Sequence, residues 1–208
     1  MNVKRTIIFI TGLVFLFVAG CAGPRAKFEI EDKSAVPGTM VSRKGSPLHL
    51  LGSPVSVGGP LPSALLVDAG DMKSVDLSAE RGKVLFLSIV PSLDTKVCDA
   101  QTHYLGEEGD RLPDAVERIT ISRDTPFAQK RFAGEAKLTD IRYLSDYKEA
   151  QFGLSTGLLI DELRLLTRSV ILVDKAGVIR YLQVVPDITR LPDMERAFGA
   201  AVELANEN

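Results

Sequence analysis

Apolar and polar positions divide the chain into short regular segments. Met40–Leu51 alternates loosely around Lys44-Gly45-Ser46, which predicts a β-hairpin. Gly52–Pro62 is rich in Gly, Pro and Ser and predicts loop. Leu65–Val67 and Ser74–Leu77 predict two short strands around Asp68-Ala69-Gly70-Asp71. Lys83–Val90 is a near-continuous apolar run bounded by Gly82 and Pro91, the pattern of a strand buried on both faces. Asp94 or Thr95 can then cap a helix running through Cys98 to about Leu105, with Gly106 and Gly109 ending it. Val116–Ser122 predicts a strand. Pro126–Ala133 predicts a helix with proline at its first position. Arg142–Leu144 predicts a short strand, Tyr147–Phe152 a helical turn, and Gly153–Leu165 mostly loop. Thr167–Val173 and Val178–Val185 predict strands joined by a turn at Asp174-Lys175-Ala176-Gly177. Pro192–Ala205 predicts a closing amphipathic helix with Asp193 near its start.

A parallel βαβ half followed by a ββα half predicts an α/β, thioredoxin-like fold. It has a central mixed β-sheet flanked by helices and an N-terminal β-hairpin extension. The alternative is a generic three-layer α/β domain. With 45% hydrophobic and 25% charged residues, the chain can build a core without a disulfide or metal staple. The net charge of −2 points neither to nucleic acid nor to an anionic membrane surface.

The first residues read differently. Lys4 and Arg5 precede an apolar stretch, Ile7 to Val18, and Val18-Ala19-Gly20-Cys21 ends it with small residues. This is the pattern of a secretory signal, and the run is short for a membrane span of ~20 residues. The ending resembles the bacterial lipobox, in which the cysteine is lipidated and becomes the mature N-terminus. The expected division is a signal peptide at 1–20, a lipidated N-terminus and tether at 21–39, and the domain at 40–208. The expected location is an exported, membrane-anchored lipoprotein on the periplasmic side. Ala22 after the cysteine favours the outer membrane.

The chain holds two cysteines, Cys21 and Cys98. If Cys21 carries lipid, Cys98 has no partner in its own chain, an arrangement that calls for an explanation in an oxidising compartment. Free cysteines are often small buried apolar residues. Here Cys98 falls where a helix begins after a buried strand, and unpaired backbone N–H groups and the helix dipole favour a thiolate there. Three residues earlier stands Thr95, so the motif is Thr-x-x-Cys and a dithiol exchange centre is excluded. The hydroxyl can hydrogen-bond the sulfur and an oxygen-containing substrate, and Pro91 can shield the sulfur from water. His49 and His103 are far apart, and no Cys/His cluster has metal-ligand spacing. No glycine-rich phosphate loop sits at a strand–helix junction. No cofactor is implied.

With Pro91-x-x-x-Thr95-x-x-Cys98 in view, the chain resembles the peroxiredoxins and, within them, the bacterial thiol peroxidases. The similarity runs through PSLDTKVC at 91–98, TPFAQKRFAG at 125–134, LTRSVILVD at 166–174 and DITRLPD at 187–193, and is weaker at VSVGG, 55–59. By that resemblance Cys98 is the peroxidatic cysteine, whose thiolate becomes a sulfenic acid. Thr95 orients peroxide and sulfur, Pro91 shields, and Arg168 stabilises the thiolate and polarises the peroxide. Taken alone, Arg168 reads as a strand-end arginine in a surface ion pair; the motif around it reverses that reading. The resemblance also implies a homodimer, peroxide as substrate, and a thiol or thioredoxin-like protein as reductant.

Three departures stand out. Where the family pattern has Arg-Phe-Cys-Gly, with a resolving cysteine, this chain has Arg131-Phe132-Ala133-Gly134. Ser63-Ala64 replaces the usual acidic and aromatic pair. Asp99 follows Cys98 directly, and a carboxylate aimed at the sulfur disfavours the thiolate. The expected function is a one-cysteine peroxidase resolved by an external thiol. The alternatives are a non-catalytic or peroxide-sensing lipoprotein on the same fold and a purely structural lipoprotein.

Overall fold

In the computed structural model, residues 28–207 are described; the signal segment and Cys21 lie outside them. The strands are β1 (Ile30–Glu31), β2 (Met40–Arg43), β3 (Ser46–Leu51), β4 (Leu65–Asp68), β5 (Ser74–Asp76), β6 (Val84–Ile89), β7 (Val116–Ser122), β8 (Arg142–Ser145), β9 (Leu159–Ile160), β10 (Ser169–Val173), β11 (Ile179–Val184) and β12 (Leu191–Pro192). The helices are α1 (Lys96–Glu107), α2 (Pro126–Ala136), α3 (Gln151–Thr156) and α4 (Met194–Asn206).

The central sheet has seven strands in the order β11-β10-β6-β7-β8-β4-β5. β6, β7 and β8 run parallel, connected through α1 and α2, while β10 and β11 form the antiparallel hairpin of the second half. Every residue of β6 is buried. Its alternating side chains feed two cores. Leu85, Leu87 and Ile89 pack under the hairpin extension and α3, with Leu50, Phe152 and Leu158. Val84, Phe86 and Val90 pack under α1 and α4, with Cys98, Leu105, Ala197 and Phe198. Burying a large aliphatic or aromatic side chain is worth about 1.5–3 kcal/mol, so a two-sided strand is a natural anchor for the active loop that follows it. The fold is the thioredoxin-like α/β architecture expected from the element order.

The hairpin of β2 and β3 turns at Lys44 and Gly45, both at positive φ (51° and 84°). A two-residue turn of this hand suits the strand twist and favours glycine. The segment Gly153–Leu165, expected as loop, is partly regular. Residues 153–156 complete α3, and β9 adds to the hairpin through Leu50–Ile160. The helical turn expected at Tyr147–Phe152 starts only at Gln151. Its start is set by Asp146, whose carboxylate accepts from the N–H groups of Phe152 and Gly153 at 3.1 and 3.0 Å. That cap comes from several residues upstream, so the spacing along the sequence conceals it.

The N-terminal boundary also moves. Residues 30–39, expected as tether, lie on the domain. β1 pairs in parallel with β12, Ala35 N–H donates to Val184 O at 2.8 Å, and Gly38 N–H donates to Gly157 O at 2.8 Å. Gly157 has φ 72°, and a Cβ there would sit 2.8 Å from Gly38 N, so glycine permits the approach. Pro24 and Pro37 and the mixed polarity around them hid this packing, because the arm is held by backbone bonds rather than by an apolar face.

Candidate active site

β6 ends at Ile89, and buried Pro91 takes the chain out of the sheet. The loop that follows is held from the next βα turn. Asp124 accepts from Ser92 Oγ and Leu93 N–H, both at 2.8 Å, and from Ser122 Oγ at 2.8 Å. Thr95 then opens α1 as its N-cap residue, with extended backbone (φ −107°, ψ 141°).

Two threonines stand at helix starts and are used differently. Thr125 accepts from Ala128 N–H at 3.3 Å, an ordinary cap for α2. Thr95 makes no side-chain cap; its hydroxyl donates to Cys98 Sγ at 2.9 Å. A cap is worth about 1 kcal/mol, and α1 forgoes it while the hydroxyl holds the sulfur. The expectation that Asp94 or Thr95 caps α1 by its side chain is therefore corrected. With no side-chain cap, the first-turn N–H groups and the positive end of the helix dipole are left to favour an anion.

Arg168 lies at the start of β10, 70 residues from Cys98 in the chain, and its Nη2 donates to Cys98 Sγ at 3.3 Å. Cys98 is fully buried and Arg168 is 1% exposed. Nη1 donates to Gln101 Oε1 at 2.7 Å and Nε to Ile188 O at 3.0 Å. Among the described residues Arg168 has no carboxylate partner. A buried guanidinium without a counter-ion is costly, and the anion that can balance it here is the Cys98 thiolate. The surface ion-pair reading of Arg168 is excluded by its burial.

Gln101 is a site residue that sequence reasoning missed. It is fully buried one turn along α1 from Cys98, donates to Ser88 Oγ at 2.8 Å, and accepts from Arg168. Its signal was available: a polar residue at Cys+3 on a buried helix face. The peptide carrying Ile188 was missed as well. It is positioned by Arg190, which binds Glu29 at 3.0 Å and Glu31 at 3.2 Å, while Leu191 N–H donates to Glu29 O at 2.8 Å. The N-terminal arm thus braces the loop that orients Arg168.

The departures take their places. Asp99 is turned along the helix toward His103, with Oδ1 3.4 Å from Nε2, and His103 Nδ1 lies 2.9 Å from Glu107. His49 Nδ1 pairs with Glu162 at 2.6 Å, far from His103 in sequence. Ser63 Oγ donates to Asp76 at 2.5 Å, and Ala64 is buried in the first core. Ala133 is half-buried on α2 beside Phe132 and Ala136. Among the described residues no group of His, Cys, Asp and Glu could hold a metal ion.

The chemistry open to a buried sulfur held by a hydroxyl and an unpaired guanidinium is nucleophilic, on a substrate that can accept hydrogen bonds. The comparisons agree with that chemistry. The Redoxin family model matches residues 56–198. A thiol peroxidase from Halalkalibacterium halodurans is 43% identical over 161 residues, covering 77% of this chain and 96% of that protein. The chain belongs to the thiol peroxidase family of peroxiredoxins. A thiol peroxidase from Bacillus subtilis is 39% identical over 164 residues, 79% of this chain and 97% of its own length. Among solved structures, a peroxiredoxin-like protein from Aquifex aeolicus superposes with a TM-score of 0.75 at 31% identity, covering 82% of this chain and 99% of that one.

Proposed function

We propose that this peroxiredoxin is a thiol-dependent peroxidase that works through a one-cysteine cycle and is anchored by lipid at Cys21. The observation that carries the reading is the buried Arg168 guanidinium, without a carboxylate, donating to Cys98 Sγ beside the Thr95 hydroxyl.

In the forward step the Cys98 thiolate attacks one oxygen of R–O–O–H. The S–O bond forms, the O–O bond breaks, and the leaving oxygen takes a proton and departs as water or an alcohol. Cys98 is left as a sulfenic acid. Arg168 and Thr95 donate where negative charge shifts from sulfur to the leaving oxygen, and such preorganised donors lower the barrier most. In the return step an external thiol attacks the sulfenic sulfur, water leaves, and a mixed disulfide forms. A second thiol releases Cys98 as the thiol, with the two reductant sulfurs joined. Composition supports an external reductant: apart from Cys21, taken here as lipidated, the sequence holds no second thiol to pair with Cys98.

A second reading, a peroxide-sensing lipoprotein, draws on one observation. Cys98 is fully buried, which hinders the approach of a second thiol to its sulfur.

The test is peroxide consumption by the purified protein with a small thiol reductant, alongside detection of sulfenic acid on Cys98 after one equivalent of peroxide. Multiple turnovers that vanish in Cys98→Ser establish the enzyme. Oxidation without turnover favours the sensor, and no sulfenic acid at Cys98 refutes both. Mass analysis of the mature N-terminus tests the anchor; an unmodified Cys21 refutes it.

A further inference from the structure

Beside the active loop, Val90 N–H donates to Ile121 O at 3.0 Å, and Pro91 follows with no N–H to give. From there to α1 the chain makes a turn. Thr95 N–H donates to Ser92 O at 3.2 Å, and Asp94 N–H donates to Ser92 Oγ at 3.4 Å. Thr95, the fourth residue of that turn, is exposed. A threonine at a helix start that is free to rotate accepts from a first-turn N–H, as Thr125 does on α2. Thr95 donates to Cys98 Sγ instead. The setting of the turn therefore decides what the hydroxyl does.

Asp124 fixes the other end of the turn. Its Oδ1 accepts from Ser92 Oγ and its Oδ2 from Leu93 N–H, both at 2.8 Å. The Leu93 side chain is buried in the same core as Cys98. Asp124 is itself held from three elements. Ser122 Oγ at the end of β7 donates to Oδ2 at 2.8 Å, and Ser145 Oγ of β8 donates to the Asp124 carbonyl. Gln129 Nε2 on α2 donates to Ser122 Oγ and to Leu144 O, both at 2.9 Å. A serine hydroxyl has one hydrogen, and with Gln129 donating to Ser122 Oγ that hydrogen is free to go to Asp124. Ser122, Ser145 and Gln129 are all buried. Burying such groups is unfavourable unless they are bonded, and Gln129 Oε1 is left without a partner among the described residues. Apolar side chains would close the ends of β7 and β8 at lower cost. What the polar set adds is an acceptor aimed at the loop between β6 and α1.

We propose that Asp124 is a positioning residue for the oxidation of Cys98: through the Ser92–Thr95 turn it keeps the Thr95 hydroxyl on the sulfur and off the helix cap. Among the described residues the side-chain hydrogen bonds to Cys98 Sγ come from Thr95 and Arg168, so Asp124 acts through the loop and not on the sulfur. Ser122, Ser145 and Gln129 hold the carboxylate in place, as a supporting layer must if a site is to keep its geometry. This rests on the proposed peroxidase activity.

The experiment is a double-mutant cycle on the rate of sulfenic acid formation by the full chain with hydrogen peroxide, using the parent, Asp124→Ala, Thr95→Val and the double variant. Asp124→Ala is expected to slow oxidation about tenfold with Thr95 present, and by less than about twofold once Thr95 is valine. Its pH–rate profile should take the shape of the Thr95→Val profile. Asp124→Asn keeps one oxygen that can accept from Leu93 N–H, and it should recover part of the rate. Urea denaturation of each variant fixes the folded fraction, so that rates are compared per folded molecule. An equal loss of rate in both backgrounds overturns the proposal, as does a rate for Asp124→Ala within about twofold of the parent. If Asp124→Ala does not fold, Ser92→Ala takes its place in the cycle, since it removes one donor and leaves the buried set intact. A fall confined to the Thr95 background then supports the proposal, and a fall in both backgrounds or in neither overturns it. Absence of sulfenic acid in the parent overturns the peroxidase reading itself, and that failure is seen in the parent alone.

Discussion

Arg168 Nη2 stands 3.3 Å from Cys98 Sγ in a buried site, and the guanidinium has no carboxylate to answer it among the described residues. The pair makes sense as cation and thiolate. Arg168→Lys keeps the charge and loses the fork that bonds Gln101, Ile188 and the sulfur together. The rate of sulfenic acid formation is expected to fall by about 10²-fold, the effect of removing one preorganised donor, and stopped-flow oxidation with hydrogen peroxide measures it. A rate within twofold of the parent rules out the role given to Arg168.

Thr95 and Thr125 form an internal control. Thr95→Val removes a hydrogen bond to a charged sulfur, about 1.5–3 kcal/mol, so the oxidation rate is expected to drop roughly 10- to 150-fold. Helix α1 loses no cap, so any loss of stability comes from the hydroxyl–sulfur bond alone. Thr125→Val should do the reverse, losing about 1 kcal/mol in urea denaturation while the oxidation rate holds. Thr95→Ser restores the donor and should recover most of the rate.

Gln101 accepts from Arg168 while its own amide is fixed by Ser88. Gln101→Glu places a carboxylate where Arg168 already points, giving the guanidinium a second anion to pair with. Cys98 oxidation at neutral pH is expected to slow, with the loss recovered partly as pH rises. A pH–rate profile identical to the parent rules out Gln101 as a positioning residue.

Under the proposed one-cysteine cycle, Ala133 on α2 offers no thiol to the Cys98 sulfenic acid. Ala133→Cys is expected to give an intramolecular disulfide with Cys98 after one equivalent of peroxide, seen as loss of free thiols and a shift on a non-reducing gel. Persistence of Cys98 sulfenic acid in that variant means that α2 does not approach the opened α1.

Asp146 is buried and holds the start of α3 through two backbone N–H groups. Burial raises its carboxyl above the ordinary value of 3.8, outweighing the backbone bonds and Arg123. The folded state therefore keeps the proton longer than the unfolded chain, and this residue's contribution to stability declines as pH rises from about that value through its folded-state titration. Subtracting the stability profile of Asp146→Asn from that of the parent should leave a difference with this negative slope. Asp146→Ala leaves both N–H groups unpaired and is expected to cost about 2–4 kcal/mol in chemical denaturation.

Periodicity located most of the fold. The buried run ending at Pro91, the helix through Cys98 and the hairpin around Asp174–Gly177 are local patterns, and they appear within a few residues of where the composition put them. Cys98, Thr95 and Pro91 fall in one βα loop of the sequence, and only the resemblance to the peroxiredoxins added Arg168 to them; the structure brings Thr95 and Arg168 to the Cys98 sulfur. What the sequence by itself determined is the set of elements and the type of chemistry, since both depend on neighbours within a turn or a pleat. The tertiary structure decided that Arg168 is buried without a carboxylate among the described residues, that Gln101 and the Ile188 carbonyl steer it, and that residues 29–31 pair with the segment following that carbonyl instead of hanging free. Each of these depends on backbone groups and charges brought together from distant parts of the chain. Hydrogen bonds and desolvation at such a distance leave no period in the sequence; they exist only once β10, α1 and β12 are packed on β6.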